Sequence, residues 1–284
     1  MNDCSAVWEL LPEAYREAVN QTDMQALEEL RLRLGRPPTA LCAGAERPLP
    51  VRTGFGLVTR EDLEAVLLGA SEQSAYAANG TLREGYAVLP GGHRVGVCGT
   101  LVIADGEVRS LKEPSSVCIR IAREVRRTQP LPRLDDSTLI VGPPGSGKTT
   151  LLRDCIRSLS DTGQRVCVAD ERGELAACLH GKPQRDLGAH TDVLTGGSKA
   201  GGILYLLRAM NPQWIAMDEI TAPQDLDAMD QCGYCGVRLL ATAHAAGRGE
   251  LSKRPLYRRL LALGLFGQLI VLHTDKTFET ERMS

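Results

Sequence analysis

From Thr138 to Leu152 the chain reads TLIVGPPGSGKTTLL, an apolar run that breaks at glycine and proline and resumes as a helix-compatible stretch. Residues 142–149 fit the pattern G-x-x-x-x-G-K-[ST], and the strand before and helix after give that pattern a mechanism. Glycines let the backbone curl so that successive N–H groups face inward, and the following helix adds its positive end, forming a nest for an anion. In such a loop a lysine, here Lys148, reaches the β- and γ-phosphates of a nucleotide, and a hydroxyl, here of Thr149, ligates Mg²⁺. The candidate nucleotide-binding residues are therefore Gly142, Pro143, Pro144, Gly145, Ser146, Gly147, Lys148, Thr149 and Thr150, and the implied cofactors are ATP and Mg²⁺.

Around this loop, apolar segments alternate with helical ones. Strands are expected at 138–141, 166–169, 214–217, 237–242 and 268–272, and helices at 149–159, 203–210 and 251–263. Strands apolar on both faces and separated by helices predict a parallel sheet covered on two sides, an α/β fold. The strand 214–217 ends in Asp218-Glu219, the Walker B form, in which Asp218 holds Mg²⁺ through water and Glu219 orients or deprotonates the attacking water. A second acidic group, Asp170-Glu171-Arg172-Gly173-Glu174, follows the strand 166–169. Ligands of open α/β sheets bind at the carboxyl ends of strands, so Glu171 and Glu174 compete with Glu219 for the role of base. Thr242 or His244, at the end of the strand near 237–242, is placed to sense the γ-phosphate by hydrogen bonding.

The tract Gly196-Gly197-Ser198-Lys199-Ala200-Gly201-Gly202 reads as a mobile loop near the nucleotide. Cys232-Gly233-Tyr234-Cys235 is a single C-x-x-C, and zinc would need two more ligands at compatible spacing, which the scattered remaining cysteines do not offer.

Upstream the pattern differs. Met24, Leu27, Leu30 and Leu34 recur at three-to-four spacing before Gly35 and Pro37-Pro38, which predicts an amphipathic helix. A second helix is expected after Thr59, whose hydroxyl caps with Asp62 three residues on, burying Leu63, Val66, Leu67 and Ala70. Period-two stretches at 86–89, 94–97, 101–103 and 117–122, with turns at Pro90-Gly91-Gly92 and Asp105-Gly106, predict antiparallel strands. The expected organisation is a small α+β N-terminal domain over 1–128, a linker over 129–136 that includes Pro130 and Pro132, and a P-loop domain over 137–284.

Lys and Arg number 33 against 35 Asp and Glu, a formal net charge of −2, which argues against a polyanion such as nucleic acid as partner. Aromatic residues at 4% also disfavour single-strand stacking platforms. The stretch from Leu260 to Leu272 is interrupted by Gln268 and is too short for a membrane span, which needs about 18 to 20 residues. Nine cysteines and a start, Met1-Asn2-Asp3-Cys4, without the marks of a signal peptide lead to the expectation of a reduced, cytoplasmic protein recruited to membranes only through partners.

The loop, the group 170–174, the run Leu206-Leu207-Arg208-Ala209-Met210-Asn211-Pro212 before Asp218-Glu219, and Thr242-Ala243-His244 together resemble the type II and type IV secretion ATPases. Residues 89–96 (LPGGHRVG), 116–124 (SVCIRIARE) and 191–194 (TDVL) are similar more narrowly to the stage III sporulation protein AA family. That resemblance implies a RecA-like P-loop NTPase core, and an ATPase that energises a secretion-like channel between mother cell and forespore, with other sporulation proteins as membrane partners. It further implies a homo-oligomer, commonly a hexameric ring, a catalytic glutamate in the box matching 170–174, and nucleotide contact from the box matching 242–244. An arginine acting on a neighbour's nucleotide would then come from Arg83, Arg94, Arg120 or Arg123. Secretion ATPases usually carry Gly-Glu where this chain has Asp218-Glu219, which leaves the water-activating residue open between Glu219, Glu171 and Glu174. The rival functions are a RecA-like nucleic-acid motor, sharing the core, and a nucleotide-dependent scaffold with little hydrolysis.

Overall fold

A computed structural model describes residues 4–20, 26–49, 56–73, 85–122 and 130–283. The chain divides into two units, Met1–Glu124 with Ala177–Gln184, and Val125–Ala176 with Arg185–Ser284.

In the first unit two short helices, α1 (Ser5–Leu10) and α2 (Glu13–Asn20), precede β1 (Leu27–Arg33), β2 (Thr39–Cys42) and β3 (Ala45–Pro48). Helix α3 (Arg60–Gln73) then leads to β4 (Tyr86–Val88), β5 (Arg94–Ala104) and β6 (Glu107–Arg120). The strands form an antiparallel sheet in the order β3-β2-β1-β6-β5-β4. Its apolar residues, among them Leu30, Leu32, Val95, Val117 and Ile119, pack with Val7, Leu10, Leu11 and Tyr15 of the N-terminal helical segment and with Leu63, Val66 and Ala70 of α3. The cap expected at Thr59 is present: the Thr59 amide donates to Asp62 Oδ2 at 2.8 Å and the Asp62 amide to Thr59 Oγ1 at 3.2 Å.

The helix expected through Leu27, Leu30 and Leu34 is instead strand β1, which holds Leu27 and Leu30, with Leu34 just past its end in an isolated bridge to Val58, while Met24 lies outside the described residues. A register shift against β2 between Leu27 and Glu29 explains the false period. That irregularity lets Leu27 and Leu30, three apart, both turn inward, after which Leu32 resumes alternation. The two strands expected at 94–97 and 101–103 are one strand, β5, irregular at Cys98/Thr100. Gly99 permits this, since a Cβ there would lie 2.7 Å from the Lys112 carbonyl oxygen. At the hairpin tip Asp105 and Gly106 both take positive φ, 55° and 77°, as a two-residue turn of type I′ requires.

The second unit holds β7 (Thr138–Gly142), α4 (Lys148–Asp161), β8 (Val166–Asp170), β9 (Thr191–Thr195), α5 (Lys199–Ala209), β10 (Trp214–Met217) and α6 (Pro223–Tyr234). It continues through β11 (Arg238–His244), α7 (Arg248–Leu251), α8 (Pro255–Ala262), β12 (Gln268–Leu272) and β13 (Phe278–Arg282). The sheet order is β13-β12-β7-β11-β10-β8-β9, parallel from β12 to β9, with β13 antiparallel at one edge. Every residue of β7, β8, β10 and β12 is buried, as both faces of a covered parallel sheet must be. Leu139, Val141, Ile215 and Met217 face the core shared with α5, α6 and α8, and helix α4 packs against β7, β8, β9 and β11.

One helix was expected over 251–263, and two are found. Arg254 is extended (φ −91°, ψ 129°), as a residue before proline prefers, and Pro255 opens α8. The edge strands β9 and β13 and helix α6 were not foreseen.

Candidate functional site

Sheet order explains which side chains meet. Strand β11 lies between the loop-bearing β7 and the acid-bearing β10, with His244 opposite Gly142 and Ala241 opposite Met217. Thr242 therefore stands beside Asp218, one residue past the paired positions, and His244 stands beside the loop.

The loop is glycine-rich for steric reasons. A Cβ on Gly142 would fall 2.5 Å from the Leu272 carbonyl oxygen and 2.6 Å from Ser146 Oγ, and Gly145 and Gly147 have φ of 72° and 97°. Pro143 and Pro144 complete the curl, and Ser146 is fully buried, its Oγ without a partner among the described residues. Lys148, the first residue of α4, is buried beneath the loop, its Nζ donating to the carbonyls of Gly142 (2.9 Å) and Pro143 (3.0 Å) and lying 3.1 Å from His244 Nδ1. Burial pushes the Lys148 ammonium below its ordinary value, while Asp218 and Glu219 pull it back up. Thr149 Oγ1 donates to Asp218 Oδ2 at 2.9 Å, and Thr150 follows in the first turn of the helix.

Asp218 is held on its other oxygen by Thr242 Oγ1 at 2.5 Å, and that hydroxyl also accepts the Glu219 amide at 2.8 Å. Thr149 and Asp218 present two hard oxygen donors side by side, the chemistry that suits Mg²⁺. His244 bridges the site: Nδ1 toward Lys148 and Nε2 3.3 Å from Glu219 Oε1. Its two ring nitrogens thus face a lysine on one side and a carboxylate on the other.

Glu171, Glu174 and Glu219 come together around one recess, also lined by Asp170, Arg172, Lys199 and Asp218. Its volume of about 20 Å³ is room for one water. Asp170 is buried beneath the recess and accepts the amides of Glu174 (2.9 Å), Leu175 (3.2 Å) and Ala176 (2.8 Å), fixing the turn that presents Glu171 and Glu174. Burial raises its carboxyl above the usual aspartate value, the three amides oppose that shift, and Asp218 adds to it. Arg172 Nη1 lies 3.8 Å from Glu219 Oε2.

Of the arginines named as trans candidates, Arg94 stacks over Tyr86 at 4.8 Å and Arg120 pairs with Glu29 at 3.4 Å, both in the first unit. Arg83 and Arg123 lie outside the described residues. Cys232 is buried and its thiol is pushed up to about 12 by burial, whereas Cys235 is exposed.

The residue most underestimated from sequence is Lys199. The glycine tract 196–202 was expected to be a mobile loop, yet Lys199 begins helix α5, Ser198 caps it by accepting the Gly201 amide at 3.2 Å, and the lysine side chain is buried. Ser-Lys ahead of the apolar run from Ile203 was the available signal. Lys276, from the β12–β13 turn, reaches Gly145 O at 2.5 Å and had no local signal at all.

This combination of a glycine loop, a threonine and aspartate pair, and a glutamate at the strand end defines a P-loop domain. The fold is shared with two solved structures, an ATPase and a pilus retraction motor. The chain superposes on the ATPase DotB of Legionella pneumophila with a TM-score of 0.58 at 15% identity, covering 96% of this chain and 80% of that one. It superposes on the pilus retraction motor PilT, solved with bound ADP, with a TM-score of 0.55 at 16% identity, covering 91% and 76%. The chain belongs to the family described as sporulation stage III, protein AA, whose model matches residues 3–281. Stage III sporulation protein AA of Bacillus subtilis (strain 168) is 36% identical over 283 residues, 94% of this chain and 90% of that protein. Among the described residues no helix is long and apolar enough to cross a membrane.

Proposed function

We propose that the chain hydrolyses ATP with Mg²⁺ at this site, and that hydrolysis energises a secretion-like channel, or its assembly, between mother cell and forespore during endospore formation. The observation that carries the chemistry is the meeting of Thr149 and Asp218 at 2.9 Å beside a buried Lys148, with a one-water recess ringed by glutamates next to them. Membership of the sporulation family supports the cellular setting.

The loop amides bind the phosphates, and Lys148 exchanges its carbonyl partners for phosphate oxygens. Thr149 and Asp218 would hold Mg²⁺, which when bound would supply charge neutralisation on the phosphates. Glu219 takes the role of orienting and deprotonating the attacking water, with Glu171 and Glu174 as the rivals that share the recess. His244, between Lys148 and Glu219, reports on the γ-phosphate, since moving either partner changes its hydrogen bonds.

The proposal extends to a cytoplasmic homo-oligomer, a hexameric ring, docked on membrane proteins of the sporulation channel. Within such a ring Arg94 and Arg120 are the described candidates for reaching a neighbour's nucleotide, and the Arg120 side chain is 67% exposed. Phosphate release by the purified protein, followed with and without Mg²⁺ as protein concentration rises, tests this. Mg²⁺-dependent turnover that climbs with assembly is expected. An assembled protein that binds ATP and releases no phosphate favours the scaffold, and turnover that responds to added DNA or RNA favours the nucleic-acid motor.

A further inference from the structure

Lys199 sits where a cation is least expected. It is the first residue of α5, at the positive end of the helix, and its side chain is only 6% exposed. Burial of an ammonium is unfavourable unless it is well paired, so its partners identify what it holds. Lys199 Nζ donates to the backbone carbonyl of Glu219, lies 3.7 Å from Glu171 Oε2, and lies 3.9 Å from Asp225 Oδ2. Asp225 is itself buried and accepts the amides of Thr221 (3.2 Å) and Ala222 (3.1 Å), which anchors the ammonium to the start of α6.

Glu219 has a φ of 40°, in the left-handed region that a non-glycine residue occupies only when its surroundings impose it. Contacts on both sides of its Cα impose it here. The Glu219 N–H donates to Thr242 Oγ1 at 2.8 Å and to Asp218 Oδ1 at 3.1 Å, and its C=O accepts from Lys199. In that conformation the carboxylate is delivered to His244 at 3.3 Å and Arg172 at 3.8 Å. The same ammonium also lies near the carboxylate of Glu171.

We infer that Lys199 is a positioning residue that sets the geometry of the hydrolytic step by holding the backbone of Glu219 in its left-handed conformation. This inference rests on the hydrolytic reading of the site. Loss of the ammonium frees Glu219 to relax toward extended backbone, which swings its carboxylate away from the nucleotide while the phosphate loop is untouched.

The test is a split between binding and turnover in the full-length protein. Lys199→Met keeps the length and apolar stem and removes the charge. We expect affinity for a fluorescent ATP analogue within about twofold of wild type and kcat lower by about 100-fold, the range for a misplaced catalytic group. Lys199→Met combined with Glu219→Gln should be no slower than Glu219→Gln alone, because Lys199 acts through Glu219. Should the methionine variant not fold, Lys199→Arg keeps the cation, moves the donor atom, and faces the same criteria with about a tenfold loss. Wild-type kcat in either folded variant, a further loss on the Glu219→Gln background, or parallel collapse of affinity and turnover overturns the inference. A wild-type protein that binds ATP and releases no phosphate overturns the hydrolytic reading itself, and the inference with it.

Discussion

The two sheets bury their strands in different ways, and the difference locates the chemistry. In the antiparallel sheet of the first unit, adjacent strands run in opposite directions, so the carboxyl ends of its strands are divided between both edges. In the second unit six parallel strands bring their carboxyl ends to one edge, and Gly142, Asp170, Asp218 and His244 all stand at such ends. One sheet provides alternating cover for a single core; the other gathers functional groups from β7, β8, β10 and β11 within a few ångströms.

Substitutions should therefore separate the units. Lys148→Ala removes the buried cation that donates to the loop carbonyls of Gly142 and Pro143, and loss of ATP binding and turnover with an unchanged melting transition is expected; binding measured by titration checks it. In the first unit Leu30→Ala, at a fully buried position of β1, should lower stability by about 2–5 kcal/mol in denaturant unfolding. Thr242→Val deletes a hydroxyl that donates to Asp218 and accepts from Glu219, and about a tenfold or greater fall in kcat follows from losing a hydrogen bond to a charged group, worth about 1.5–3 kcal/mol. Smallest is Thr59→Ala, which removes the α3 cap and should cost about 1 kcal/mol without altering steady-state kinetics. A first-unit substitution that abolished nucleotide binding, or Lys148→Ala that unfolded the protein, would break the separation.

The parallel sheet was legible because strands buried on both faces appear as continuous apolar runs, and because Gly142, Gly147, Lys148 and Thr149 carry one local motif. Strand β1 was not, since its register shift puts Leu27 and Leu30 on one face at a spacing that also fits a helix. The acidic partners at 218–219 and 170–174 announced themselves at strand ends. What stayed hidden was long-range: Lys199 meets Glu219, and Lys276 meets Gly145, only because the sheet order brings distant segments together. The left-handed conformation of Glu219 likewise leaves no trace in composition, because glutamate carries no preference for it.

In the proposed reaction the loop binds the nucleotide while Glu219, held at the recess, lets water attack it. Single-turnover phosphate release from ATP already bound to Glu219→Gln tests this most directly. ATP should bind with wild-type affinity and remain unhydrolysed, with release slowed by about 100-fold or more. Release at the wild-type rate would exclude Glu219 as the base and move the role to Glu171 or Glu174.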